Sequence, residues 1–243
     1  MNSSVEYKGP ELVVFEAAKN WKSYFAAAIR PNVKGHVLEV GAGIGGVTRI
    51  LCAHLSRGIV EKWLCLEPDA SQCANIANKI ENGDLPEYCH TMVGMLSDVA
   101  GKQKFDTILY VDVLEHIEFD LAELEMASQC LRPSGRLVVL APAHQGLFSD
   151  LDRAASHFRR YTTDSLRALT PTDTDLIVSR YFDCIGMLAS LANRLLLRQG
   201  VPTMRQILFW DRLMIPLSRI FDPILAYKLG KSVLVVWEKR DEV

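Results

Sequence analysis

His36-Val-Leu-Glu-Val-Gly-Ala-Gly-Ile-Gly-Gly-Val-Thr48 is the stretch on which the fold turns. Val37, Leu38 and Val40 make a short apolar run of the kind that forms a buried strand, and Gly41 begins a turn that opens a helix. Such a turn directs backbone N–H groups and the positive end of a helix toward a ligand. Glycine is required where a Cβ would block that approach. Two spacings coexist. Gly41, Gly43 and Gly46 satisfy G-x-G-x-x-G, the dinucleotide-binding pattern. Gly41, Gly43 and Gly45 satisfy G-x-G-x-G behind the acidic Glu39.

Around this stretch, strand and helix patterns alternate. After the strand at 36–40 and a helix at 45–55, the sequence predicts strands at 63–66, 90–93, 105–111 and 136–140, with helices at 69–80 and about 120–131 between them. Alternation of this kind means right-handed βαβ crossovers and a parallel sheet. Before it lies one helix over about 11–30. After it, 142–161 has little periodicity, 175–181 is a further strand and 232–238 a last one. The expected fold class is α/β: a doubly wound, seven-stranded, mostly parallel sheet with an antiparallel last strand. It forms a single domain over 1–243, with a helical insertion over about 183–227. Gly200, Pro202 and Pro216 are expected to break the insertion's helices, since proline lacks a donor and clashes one turn back.

Several motifs in this order resemble those of class I (Rossmann-like) methyltransferases that use S-adenosylmethionine (SAM) on small molecules. Besides the G-x-G-x-G loop, these are Leu64-Cys-Leu-Glu-Pro-Asp69, Phe105-Asp-Thr-Ile-Leu-Tyr-Val-Asp-Val-Leu-Glu-His-Ile117 and Leu131-Arg-Pro-Ser-Gly-Arg-Leu-Val-Val-Leu-Ala-Pro142. The resemblance covers about residues 20–182. It implies SAM as cofactor, with Glu39, Gly41, Ala42, Gly43 and Gly45 at the loop, Glu67 on the ribose hydroxyls beside Pro68, Met95 and Leu96 at the adenine, and Asp112 and Val113 lining the crevice. Trp21, on the first helix, is implied to close over the cofactor. Relatives often carry an acidic or polar residue where Met95 stands, so adenine recognition here is expected to use backbone and apolar contacts. Asp112 can also be a helix cap.

Histidines near the crevice are the candidate bases for a hydroxyl acceptor, because an imidazole titrates near working pH. They are His116, His144 and His157. The cluster His157-Phe-Arg-Arg-Tyr161 lies in a loop at the sheet edge where substrate contacts concentrate, so Arg159, Arg160 and Tyr161 are expected to bind the acceptor. The leading expectation is therefore O-methylation of a small molecule. The alternatives are N- or C-methylation, an NAD(P)-dependent oxidoreductase, and a noncatalytic SAM-binding protein.

Composition narrows the partners. The chain has 243 residues, 49% hydrophobic and 23% charged, and 27 Lys+Arg against 29 Asp+Glu give a net charge of −2. This excludes a disordered chain or a collagen-like repeat and argues against nucleic acid as a partner. Cys52, Cys65, Cys73, Cys89, Cys130 and Cys184 form no C-x-x-C pair, so no metal site is expected, and with a polar N-terminus they suggest a reducing cytoplasm. No run of 18 apolar residues suggests a membrane span. The insertion is apolar and carries Arg198, Arg205, Arg212 and Arg219 at seven-residue spacing, of which only Arg205 and Arg212 are expected to share a face. It reads as a helical cap, a homodimer interface, or a lid over the acceptor resting on a membrane surface.

Overall fold

The computed structural model describes residues 16–55, 58–192 and 203–241. Its strands are β1 (Gly35–Val40), β2 (Val60–Glu67), β3 (Cys89–Val93), β4 (Phe105–Val111), β5 (Leu131–Pro142), β6 (Thr174–Phe182) and β7 (Ser232–Lys239). They form one sheet in the order β3-β2-β1-β4-β5-β7-β6. The first five are parallel, and β7 runs antiparallel to both β5 and β6.

Alternation along the central strands builds two cores, one on each face of the sheet. Val37, Leu109, Val138, Leu140 and Val236 belong to one; Leu38, Ile108, Tyr110, Val139 and Trp237 belong to the other. The unbroken apolar runs of β1 and β4 follow from burial on both faces, as a parallel sheet requires. The chain goes from β1 outward to β3, then returns to β4 on the other side of β1. A crevice opens at such a reversal, beyond the carboxyl ends of the strands.

The helices are α1 (Lys19–Ile29), α2 (Gly46–Cys52), α3 (Ala70–Glu81), α4 (Leu96–Val99), α5 (Asp120–Gln129), α6 (Asp150–Ala154), α7 (Thr163–Ala168), α8 (Cys184–Ala192), α9 (Met204–Phe209) and α10 (Ile215–Ile224). Asp69 caps α3, its carboxylate accepting from the backbone N–H of Ser71 and Gln72 at 2.8 and 3.2 Å. The first part of the expected 11–30 helix, up to residue 15, lies outside the described residues, as do Gly200, Pro202 and Arg198. Three further expectations are corrected. The stretch 142–161 contains α6 and an isolated bridge between Ala143 and Tyr161. Asp112 caps no helix: a 3-10 turn, Leu114–His116, follows it with no side-chain cap, and α5 begins only at Asp120. Pro216 does not break the insertion. Trp210–Met214 widens into a π-helical turn and Pro216 sits in the first turn of α10, where its missing N–H costs least.

Buried aspartates fasten the insertion to α1. Asp222 accepts from Tyr24 Oη at 2.9 Å and from the backbone N–H of Asp183 and Cys184 at 2.8 and 3.0 Å. Asp183 accepts from Trp210 Nε1, Ser218 Oγ and Gly186 N. Asp211 accepts from the Trp21 N–H at 2.8 Å. Arg219 bonds Ser23 Oγ at 3.1 Å and lies over the Tyr24 ring. The outer surface keeps Leu188, Phe209, Leu213, Ile220 and Ile224 exposed, and Cys184, Leu188, Phe221 and Leu229 line a cavity of about 190 Å³ between α8 and α10. Among the described residues no helix is long and apolar enough to cross a membrane.

Candidate active site

Backbone conformation separates the two glycine spacings. Gly41, Gly43 and Gly45 have φ of +67°, +56° and +75°, whereas Gly46 is an ordinary helical residue. The working pattern is therefore G-x-G-x-G. Gly41 has a second constraint: a Cβ there would lie 2.6 Å from a Val113 methyl group. The glycine loop and the turn after β4 thus close on each other across the β1/β4 boundary, with no room for a side chain between them. Gly41 N and Ala42 N both donate to Leu66 O, tying the loop to β2.

Glu67 ends β2 on the same edge, nearly buried at 6% exposure. Its Oε2 accepts from Gly43 N at 2.8 Å and its Oε1 from Asp69 N at 3.0 Å. Each oxygen keeps a further acceptor position. Burial raises the Glu67 carboxyl, and the two N–H groups oppose that. Pro68 connects Glu67 to the cap of α3. Met95 is 60% exposed, and its N–H is taken by Asp98 Oδ2 at 2.8 Å. Asp98 is thereby spent on its own turn, while Leu96 is buried beneath it.

Glu39 and Trp21 have jobs other than those implied. Glu39 is buried, its Oε2 accepting from Thr48 Oγ1 at 2.6 Å and Trp63 Nε1 at 2.8 Å. It braces the helix behind the loop rather than the loop itself. Burial pushes its carboxyl up to about 7. Between the unfolded value of about 4.3 and 7, the folded chain holds a proton that the unfolded chain releases, so this residue's contribution to stability falls as pH rises through that window. Glu39→Gln is expected to remove that slope and to raise stability above pH 7 by on the order of 3 kcal/mol; denaturant melts at pH 5 and pH 8 measure it. Trp21 is buried at 7% exposure against Trp210, Tyr24 and Phe25. It is a packing residue of the α1 interface, not a flap over the crevice.

The third wall comes from the turn after β4 and the loop after β5. Asp112 has φ of +54°, which aspartate tolerates, and its N–H donates to Leu140 O. Its side chain is exposed to the crevice, so water tempers the upward pull of the surrounding protein on its carboxyl. Behind it, Glu115 is 1% exposed and neither carboxylate oxygen has a hydrogen-bond partner among the described residues; burial raises its carboxyl well above the usual range. The His116 and His157 rings meet edge to face with centroids 4.5 Å apart. Phe158 N donates to Glu115 O at 2.8 Å, joining the two segments.

Asp152 organises this wall. It is 1% exposed and accepts five hydrogen bonds: from Ser149 N and Oγ, from His157 Nδ1 at 2.9 Å, and from Arg160 Nε and Nη2 at 2.7 and 2.8 Å. Burial alone would raise its carboxyl; the bonds from His157 and Arg160 overcome this and hold it far below the usual carboxylate range. With Nδ1–H given to Asp152, the free lone pair of His157 is on Nε2. His144, at φ +63°, stacks on Tyr181 with centroids 4.9 Å apart, and its buried Nε2 has no partner. Burial lowers its pKa, which keeps it neutral.

The expected acceptor-binding trio is committed internally. Arg159 pairs with Asp120 at 2.5 Å and with Glu118 O at 2.7 Å. Arg160 clamps Asp152. Tyr161 Oη donates to Asp120 Oδ2 at 2.9 Å. These contacts fix all three in the wall of the crevice. Glu115, Asp152 and Lys231 enter the site without a forecast. Lys231 Nζ lies 4.0 Å from Asp183 and 4.0 Å above the Trp210 ring. For Asp152 a signal existed: Ser149-x-x-Asp152 has the spacing of a capping box, which the structure forms.

A family model described as a methyltransferase domain matches residues 14–176. No curated protein matches the chain. Among solved structures, geranyl diphosphate methyltransferase in complex with SAM is similar over 96% of this chain and 91% of its own, at 12% identity and a TM-score of 0.63. A methyltransferase in complex with the Haloferax volcanii Trm112 methyltransferase activator is similar over 98% of this chain and 100% of its own, at 13% identity and 0.63. Coclaurine N-methyltransferase bound to N-methylheliamine and SAH is similar over 92% and 73%, at 12% identity and 0.61. At such identities the likeness is one of fold.

Proposed function

Since the chain belongs to the family of methyltransferase domains, we propose that it transfers the methyl group of SAM to a hydroxyl of a small-molecule acceptor, with His157 as the base. The crevice fits SAM. Gly41, Gly43 and Gly45 all hold positive φ, so the loop can bring bare backbone close to a ligand at the crevice edge. Glu67 offers one spare acceptor position on each oxygen to a ribose diol. Asp112 puts a negative charge at the crevice floor, suited to a cationic ligand. When bound, SAM supplies an electrophilic methyl group on a sulfonium.

The observation that carries the hydroxyl reading is the Asp152–His157 pair. Asp152 fixes the ring by taking Nδ1–H and stabilises the imidazolium that forms when Nε2 accepts a proton. A hydroxyl oxygen needs that proton removed before it can bond carbon. Arg160 keeps Asp152 charged, and His116 packs the ring from its edge. The insertion begins at Asp183, at the carboxyl end of β6 and on the same sheet edge, which suits an apolar roof that keeps water from the reacting centre. A chain that acts without nucleic acid accords with the net charge of −2.

Methyl-labelled SAM incubated with a panel of small hydroxylated compounds tests this. Label is expected in a methyl ether. His157→Gln is expected to lower kcat by about 10²-fold or more while the SAM Kd from calorimetry stays the same. Label on an amine or carbon would replace the hydroxyl reading, and transfer at the wild-type rate by the variant would remove His157 from the chemistry.

A further inference from the structure

Glu115 is the group in the wall that the proposed chemistry leaves unexplained. A carboxylate at 1% exposure with both oxygens unpartnered is costly unless something absent from the protein's own hydrogen-bond network meets it. One donor atom each from Glu115, His116 and His157 lie within 4.8 Å of one another. We propose that these three residues bind a divalent first-row transition-metal ion, on the acceptor side of the crevice.

The chemistry of the donors fits. Two imidazoles and one carboxylate suit zinc, manganese, iron(II) or cobalt(II) better than the all-oxygen preference of magnesium or calcium. An ion with ligands at about 2.0–2.2 Å requires donors about 3.3 Å apart, so binding would draw in a set whose donor atoms already lie within 4.8 Å of one another. The supporting contacts fit as well. His157 gives Nδ1–H to the buried Asp152 at 2.9 Å, leaving Nε2 to point away; a carboxylate behind a ligating histidine is the arrangement that fixes its tautomer and strengthens it as a ligand. The 3-10 turn Leu114–His116 is pinned to the second segment by the Phe158 N to Glu115 O bond, so ligands 41 residues apart in sequence are held together before any ion arrives. Neighbouring cations do not compete for Glu115: Arg160 is engaged bidentately by Asp152, and Lys231 faces Asp183. Three protein ligands leave coordination positions open to an acceptor oxygen. The inference rests on the methyltransferase reading for its purpose and changes one role in it: with the ion bound, His157 Nε2 is a ligand instead of the base, and the ion would hold the acceptor oxygen in line with the methyl group and lower the pKa of its hydroxyl so that the proton passes to water.

Metal-stripped full-length protein titrated with cobalt(II) tests it, read by calorimetry and by visible absorption. One equivalent is expected to bind with a d–d spectrum of nitrogen and oxygen ligation, displaced by zinc. His116→Asn, His157→Asn and the isosteric Glu115→Gln are each expected to weaken binding at least 100-fold, and Asp152→Asn about 10–100-fold. Circular dichroism and SAM binding check that each variant is folded, and a variant that fails this check leaves the other three to decide. Wild-type protein that binds SAM yet takes up no cobalt overturns the site, as does unchanged cobalt affinity in the folded variants. Cobalt bound as expected, without methyl transfer to any hydroxyl, leaves the metal site standing and refutes the proposed reaction instead.

Discussion

Asp152→Ala is expected to cost about 3–5 kcal/mol of stability, because it strands the half-buried guanidinium of Arg160, whose fork has no other hydrogen-bond partner among the described residues. The side chain receives both nitrogens of the Arg160 fork, the His157 ring and the Ser149 cap, so one substitution releases the whole wall of the crevice. The direction of its titration gives a second handle. The folded carboxyl lies below its unfolded value of about 3.9. Its contribution is therefore complete above that pH and is lost as pH falls through the folded value. Wild-type protein should lose stability below about pH 4 through this group, and Asp152→Asn, which keeps the shape, should lack that part of the acid slope. Denaturant unfolding of the three proteins between pH 3 and pH 7 gives both quantities, and an alanine variant as stable as wild type would show that the cluster is ornamental.

Removing the carboxylate of Glu67 is expected to be the largest single loss in cofactor binding. Two charge-assisted bonds to a ribose are worth roughly 1.5–3 kcal/mol each, so Glu67→Ala should raise the SAM Kd at least about a hundredfold. Some of that loss comes from the loop, since Gly43 N and Asp69 N also lose their acceptor. Glu67→Gln separates the contributions: it retains one acceptor oxygen and should fall between. Calorimetry with SAM on folded variants measures both. An alanine variant with wild-type affinity would move the ribose elsewhere in the crevice.

The architecture was legible because its determinants are local. Val37-Leu38 and Ile108 to Val111 are apolar runs too short for helices, and their glycine or aspartate turns mark where each strand stops. Glu67 could be found for the same reason, as an acid at the end of such a run. The acids that matter most elsewhere were not legible. Asp183, Asp211 and Asp222 stand in amphipathic stretches where an acid ordinarily faces water, and only packing reveals that each is buried against donors from a distant segment. Arg159, Arg160 and Tyr161 were visible as a cluster, but adjacency in sequence says nothing about partners, and Asp120 and Asp152 had already claimed them. Trp21 failed likewise: its neighbour Trp210 is contributed by the insertion. Pro216 misled because the rule that proline ends a helix assumes 3.6 residues per turn, and the π-helical turn at Trp210–Met214 relaxes it.

The position of β7 has a consequence for how the molecule is made. It lies between β5 and β6 and supplies the sheet hydrogen bonds of β6. During synthesis, β5 and β6 leave the ribosome well before the strand that separates them, and from Pro142 to Ser232, some ninety residues of elongation, β5 lacks its β7 partner and presents an open apolar edge. Nascent chains halted before residue 232 should therefore be far more prone to strand-to-strand association than chains that include β7, and closing the sheet requires threading Ser232–Lys239 into a slot that must stay vacant until then.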